Sequence, residues 1–381
     1  MAAGVQLPGG GETIDLQQQV ARLQALLEAS RQVHSTIHEN EVLEQVLRIV
    51  VRELEMDGAA FPSAGLLYGR EPSAESGSML AWPLDDRGGH RMTELVVAPP
   101  DGRELTIYES DFIEGLALQA AVALENARFH KRNVEFARVQ QDLDAARAIQ
   151  RSLLPQTLPS IEGYSLAFKS VTCYEVGGDY LDIVAQPDGS LLIAVADVAG
   201  KSIPAAMLMA TFQASLKTLS TAQVALPELV ANMNKYACSN SQGGLRFTTA
   251  FLSEYDATRR IFTYINAGHN NPILRRSTGL IERLDVGGLP LGIQPEAQYE
   301  SASVALAPGD WLIIFTDGLV EAENAHQEEY GETRLLGAIA ASAAATPAEM
   351  LTRMMAEVDL FVGTTPQHDD VTCLLVKATE Q

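Results

Sequence analysis

The sequence predicts an α+β protein in two parts: a small α+β domain, then, beyond a long helix, a larger α-β-β-α sandwich of two antiparallel sheets. Three observations carry this. After Pro159, short apolar runs bounded by Gly, Pro, Asn or Asp recur and long helical periodicities are few, as in strand-rich chains with helices on the outer faces. Before Asp111, two helical periodicities come first and short strand-like runs second. Between these halves, no Gly or Pro interrupts the chain from Lys131 to Leu154.

Residues 1–15 are small and Gly-rich at their start and read as a disordered tail. Residues 16–129 form the first domain. Leu16, Val20, Leu23, Leu26 and Leu27 recur at helical spacing, as do Val42, Val46, Leu47, Val50 and Leu54, predicting two amphipathic helices. Gly65 to Tyr68, Met79 to Leu84, Met92 to Val97 and Leu105 to Ile107 predict strands of a small antiparallel sheet. Asp111 then marks a helix start, and Phe112 to Phe129 is Ala-rich. Residues 130–156 continue it as a linker helix. Val139, Leu143, Ala146, Ile149 and Leu153 advance by four, three, three and four, a narrow apolar stripe suited to a paired helix in a homodimer or to packing on the second domain.

Residues 157–379 form the second domain. Strands are expected over Tyr164 to Val171, Tyr180 to Ala185, Leu191 to Ala196, Thr248 to Tyr255, Arg260 to Asn266, Ile273 to Arg276, Tyr299 to Leu306, Trp311 to Thr316 and Val371 to Lys377. Helices are expected over Pro204 to Leu219, Leu226 to Ala237 and Ala348 to Val358, with Ala340 to Ala345 either extending the last or forming a loop.

The chemistry lies at strand ends. Leu191 to Ala196 runs into Asp197, and Trp311 to Thr316 runs into Asp317, whereas Asp179 precedes one strand and Asp369-Asp370 another. If these four strands are antiparallel neighbours, their carboxylates converge on one rim. Crowded carboxylates repel unless protonated or neutralised by cations. Oxygen donors without Cys or His favour hard ions such as Mg²⁺ or Mn²⁺, and a pair of such ions activates water against a phosphoryl group. Hydrolysis of a phosphate ester is the expected chemistry.

The excess of 49 Asp and Glu over 27 Lys and Arg, a formal net charge of −22, argues against a nucleic-acid or anionic-lipid partner. Cys173, Cys238 and Cys373 are far apart and show no CxxC spacing, so reduced thiols are expected rather than a disulfide framework or zinc site. No basic leader opens the chain, and it has no uninterrupted apolar run of 18 residues. These readings predict a cytoplasmic protein with no membrane segment.

Gly177-Gly178-Asp179-Tyr180, Asp197-Val198-Ala199-Gly200-Lys201, Ala267-Gly268-His269-Asn270, Leu289-Pro290-Leu291-Gly292, Pro308-Gly309-Asp310, Thr316-Asp317-Gly318 with Glu321-Ala322, and Asp369-Asp370-Val371-Thr372 follow in one order from about Ile149 to Lys377. That series resembles the SpoIIE/RsbU-type phosphatases, the bacterial branch of the metal-dependent PPM (protein phosphatase 2C-like) Ser/Thr phosphatases. The resemblance implies a PPM-type sandwich and two Mn²⁺ or Mg²⁺ ions. It assigns Asp197 as the carboxylate bridging both ions, the Val198 carbonyl to the first, Asp317 and Asp369 to the second, and Asp179 as support for the first. Asp370 is left between coordination and hydrogen bonding, and Asp182 between orienting a ligand water and turn or surface use. His269 reads as a buried structural residue rather than a general acid, and His368 is unassigned. The chain departs from many eukaryotic relatives in having Asp197-Val198-Ala199 for Asp-Gly-His, and from the usual pattern in having Ser202 where Gly follows the Lys.

Helices, strands and the closing helix through Ala120 to Arg128 also resemble a GAF domain. No Cys for a bilin and no nucleotide signature occurs there; His34, His38, His90 and His130 read as surface residues, and dimerisation is favoured over ligand sensing. The resemblances together imply a phosphoserine/phosphothreonine phosphatase acting on a STAS-type anti-anti-sigma factor and regulated through the GAF-like domain and linker helix. The alternatives are a catalytically weak scaffold and a GAF-based small-molecule sensor.

Overall fold

The computed structural model describes every residue except 1–9, 73–79, 102, 223, 242, 343 and 381. The chain divides into two compact units, Met1–Gln140 and Gln141–Gln381. Among the described residues no helix is long and apolar enough to cross a membrane.

The first unit begins with α1 (Gly10–Val33) and α2 (Glu39–Glu53), followed by β1 (Gly58–Phe61), β2 (Leu66–Gly69), β3 (Leu80–Asp85) and β4 (Arg91–Ala98). Helix α1 already starts within the segment expected to be a tail, of which residues 1–9 lie outside the described residues. The strands form one antiparallel sheet in the order β2-β1-β4-β3. Val42, Val46, Leu47 and Val50 of α2 are buried against this core with Phe61, Leu95 and Leu116. Strand β1 was not expected from Gly58-Ala59-Ala60-Phe61, whose small side chains carry little strand signal; pairing on both sides holds it. The run from Leu105 to Ile107 is no strand. Thr106 and Glu109 exchange bonds, Thr106 N–H to the carboxylate at 2.8 Å and Glu109 N–H to the hydroxyl at 3.3 Å. This capping box starts α3 (Ile107–Leu153) four residues before Asp111.

The second unit contains β5 (Tyr164–Val171), β6 (Tyr180–Ala185), β7 (Leu191–Val198), α4 (Ser202–Leu219), α5 (Leu226–Asn240), β8 (Thr248–Asp256), β9 (Ile261–Ala267), β10 (Ile273–Arg275), β11 (Ile281–Arg283), β12 (Gly287–Gly288), β13 (Ala302–Ala305), β14 (Trp311–Phe315), α6 (Gly331–Ala341), α7 (Pro347–Val362) and β15 (Val371–Ala378). One sheet has the order β11-β10-β14-β15-β5. The other runs β12-β9-β8-β7-β6, with β13 also on β9, and all pairings are antiparallel except β12 with β9.

Alternation along the strands builds the layers. Ile193 and Val195 of β7 face Leu312, Ile314, Leu374 and Val376 of the other sheet, closing a core between the sheets. Their neighbours Leu192, Ala194 and Ala196 point the other way, onto Met209, Phe212 and Leu216 of α4 and Val230 of α5. Ile313 and Leu375 likewise meet Leu335 of α6 and Met350 and Met354 of α7. The result is helix layer, sheet, sheet, helix layer. A capping box between Thr346 and Glu349 with Pro347 in the first turn starts α7. Helix α6 was missed because Gly331 and the Ala-rich stretch after it lack a strong apolar period; Leu335, Ala338 and Ile339 nonetheless bury one face.

Candidate metal centre

The four strands expected to be neighbours are two pairs in two different sheets. In one, Tyr180 at the start of β6 pairs with Ala196 near the end of β7. In the other, Phe315 at the end of β14 pairs with Cys373 near the start of β15. Each pair therefore delivers carboxylates from one strand end and one strand start. A direct bond links the two pairs: the fully buried Thr316 donates from Oγ1 to Asp179 Oδ2 at 2.9 Å and accepts the Thr372 N–H at 2.9 Å.

Around this bond the chain comes unusually close to itself. A Cβ on Gly177 would lie 2.0 Å from Asp370 Oδ2, and one on Gly178 would lie 2.8 Å from the Val198 carbonyl oxygen, so neither position admits a side chain. The Val198 carbonyl thus faces the turn that carries Asp179. Asp370 accepts the Cys173 and Gly178 amides at 2.7 Å each and the Asp179 amide at 3.5 Å. Of the two uses open to it, the geometry shows hydrogen bonding that shapes the turn.

Electrostatics report the same convergence. Burial and the charges of Asp317, Asp369 and Asp370 push Asp197 up to about 7, against a hydrogen bond with Asp179 that works the other way. Burial, then Asp197, holds Asp179 well above the carboxylate range. Burial, then Asp369, raises Asp317. A cation answers them: Lys201 Nζ stands 3.0 Å from Asp369 Oδ2 and donates to the His368 carbonyl. Carboxylates at this density, with a backbone carbonyl beside them, are a donor set suited to hard divalent cations. Among the described residues no three such side chains already close a cage; Asp179 is bonded to Thr316 and Asp369 to Lys201.

Asp182 does not orient a water at this rim. It is buried on the helix side of β6, where Lys217 Nζ lies 2.6 Å away and the Tyr180 hydroxyl donates at 2.8 Å. His269 is also buried; burial pushes it down to about 4, and its backbone exchanges bonds with the Asn266 side chain. Thr316 and Lys201 have no role in the reading from sequence. A Thr immediately before a strand-end Asp and a Lys four residues after one were the available signals. Ser202 takes φ +62° at the start of α4, a left-handed conformation that favours Gly.

A cleft of about 640 Å³ opens beside Asp369, Lys201 and Gly318. Met355, Val358 and Val371 line it together with Glu321, Glu323, Glu329 and Asp359. Burial, then Asp317, raises Glu321, which places that carboxyl within the influence of the rim.

A two-sheet sandwich with carboxylates gathered at one end of its strands defines a protein phosphatase 2C-like fold. The profile of the SpoIIE family, Stage II sporulation protein E, matches residues 187–379, about half of the chain, and the chain belongs to that family. Asp197, Asp317, Asp369 and Asp370 fall inside the match, and Asp179 lies just before it. The chain is 27% identical over 262 residues to Protein IcfG of Synechocystis sp., covering 62% of this chain and 41% of that one. It is 26% identical over 242 residues to phosphoserine phosphatase RsbU of Bacillus subtilis, covering 63% and 70%. Among solved structures, the SiaA-PP2C domain of Pseudomonas aeruginosa superposes with a TM-score of 0.56 at 24% identity, covering 64% of this chain and 98% of that one. The RsbU and RsbW domains of Rv1364c from Mycobacterium tuberculosis give 0.51 at 24% identity, covering 60% and 64%.

Proposed function

We propose that the second unit is a metal-dependent phosphatase that removes phosphate from serine or threonine of a partner protein. The observation that carries this is the Thr316 to Asp179 bond, which ties the acidic strand ends of both sheets into one rim. Two Mn²⁺ or Mg²⁺ ions would be held by Asp197, Asp317 and Asp369, with the Val198 carbonyl and Asp179 on the first. When bound, such ions supply charge neutralisation and an activated water for phosphoester hydrolysis. The chain's own residues do the rest. Asp370 fixes the turn before Asp179 through backbone amides, and Lys201 offers a positive charge at the mouth of the cleft for an incoming phosphate. The buried His269 is not available to protonate a leaving oxygen.

Similarity to a phosphoserine phosphatase supports a phosphoserine protein as substrate; we propose that it is a STAS-type anti-anti-sigma factor in a cytoplasmic partner switch. The first unit, read as GAF-like, and the linker segment of α3 would regulate it within a homodimer. Supporting that seam, Val139 and Ile149 of the apolar stripe are exposed in the single chain. The test is phosphate release from a phosphoserine protein by the full chain with Mn²⁺ and with chelator. Release only with the metal is expected; equal release in chelator contradicts the reading.

A further inference from the structure

We infer that the cleft beside the metal rim takes a lysine or arginine flanking the phosphoserine of the substrate and so selects phosphoproteins with a basic flank; this deepens the phosphatase reading above and rests on it. The cleft is continuous with the site of hydrolysis, because Asp369, Lys201 and Gly318 belong to its lining. Its floor is apolar: Met355 and Val358 of α7 and Val371 of β15 are all buried. Glu321, Glu323, Glu329 and Asp359 line the same space.

Three of these acids are placed by one hairpin over residues 320–331. It starts on the metal rim, where the Glu321 N–H donates to the Asp317 carbonyl at 2.8 Å. It closes through the Tyr330 N–H to the Ala322 carbonyl and the Gly331 N–H to the Val320 carbonyl, each at 2.8 Å. Asn324 shapes the turn, its Oδ1 accepting the His326 and Glu328 amides at 2.8 and 3.1 Å. Glu323 and Glu329 are thereby set directly opposite each other. Like charges in that position cost stability, and among the described residues neither they nor Glu321 have an ion-pair partner. A cation seated between them offsets that cost. A Lys or Arg side chain matches the whole cleft, with an apolar stem for Met355 and Val358 and a charged head for the glutamates. An acidic flank would be repelled, and an apolar one would leave the carboxylates unpaired.

The test is phosphate release by the full chain with Mn²⁺ from phosphoserine peptides that differ only in their flanking residues: arginine, norleucine or glutamate. The wild type should use the arginine peptide about fivefold better than the norleucine one in kcat/KM, the scale of two exposed ion pairs. The difference should lie in KM, since a flanking residue is bound alike before and during reaction, and should shrink in about 0.5 M salt. With Glu323→Gln and Glu329→Gln together, the arginine and norleucine peptides should become equal. With Glu323→Lys and Glu329→Lys, the glutamate peptide should overtake the arginine one. Each comparison is a ratio within one enzyme, so a general loss of activity does not move it. No arginine preference in the wild type, or a preference unchanged in the Gln double variant, overturns the role of the cleft alone. Release from none of the peptides by the wild type with Mn²⁺ overturns the metal-dependent reading and this inference with it.

Discussion

Replacing Asp197 by Asn should stabilise the metal-free protein while removing its activity. The site pushes Asp197 from 3.8 to about 7. At 1.36 kcal/mol per unit, ionising it in the folded state costs at most about 4 kcal/mol, a cost shared with the coupled Asp179. Because the folded pKa is the higher one, the folded state binds more protons between about pH 4 and pH 7, and this contribution to stability is lost as pH rises through that window. His269 works the other way. Held down at about 4, it makes stability rise with pH between its folded value and the ordinary 6.5. The quantity to read is therefore the difference between wild type and variant. Asn keeps the shape and drops the charge, so in chelator at pH 8 a gain of roughly 1 to 4 kcal/mol is expected, several degrees at about 2–4 °C per kcal/mol for a unit of this size. At pH 5.5 the gain should shrink, since wild-type Asp197 is then mostly protonated. Circular dichroism melts of both proteins at both pH values make the measurement. An unchanged or lower midpoint for Asp197→Asn at pH 8, or a gain that grows as pH falls, refutes the crowding of carboxylates around Asp197.

Two further substitutions probe the same rim. Lys201→Met removes the cation that competes for Asp369; the pair is exposed enough to be worth about 0.2–1 kcal/mol, so Mn²⁺ affinity measured by calorimetry should rise by up to about fivefold, and weaker binding would show that Lys201 does not compete. Asp370→Ala leaves the Cys173 and Gly178 amides without their acceptor, a penalty of about 1–3 kcal/mol for each that is buried; a melting point within a degree of wild type would remove Asp370 as the anchor of the turn.

Much of the sandwich was legible because its strands are apolar runs ending in turn residues, and the acids at the ends of Leu191–Val198 and Trp311–Phe315 stand out against such runs. What periodicity cannot show is which strands share a sheet. Asp179 and Asp197 lie on one sheet and Asp317 and Asp369 at the other, joined by a threonine whose role depends on that crossing. Asp182 alternates with Tyr180 on one strand face, but the sequence does not say that this face lies under α4, where Lys217 waits. The short run Leu105 to Ile107 reads as a strand, although Thr106 with Glu109 three residues later is the stronger signal, a helix-starting capping box. Hydrogen bonds between Gln150 and Gly177 join residues of a helix and a loop with no local pattern between them. Short strands such as β11 and β12 exist only through their neighbours.

Whether Asp197, Asp317 and Asp369 act together on divalent cations to cleave phosphoserine is decided by following phosphate release with Mn²⁺ for wild type and Asp317→Asn. Rapid release by the wild type is expected, with a loss of at least about a hundredfold in the variant, the equivalent of roughly 2.7 kcal/mol of transition-state stabilisation. Equal rates for the two proteins would contradict that joint action.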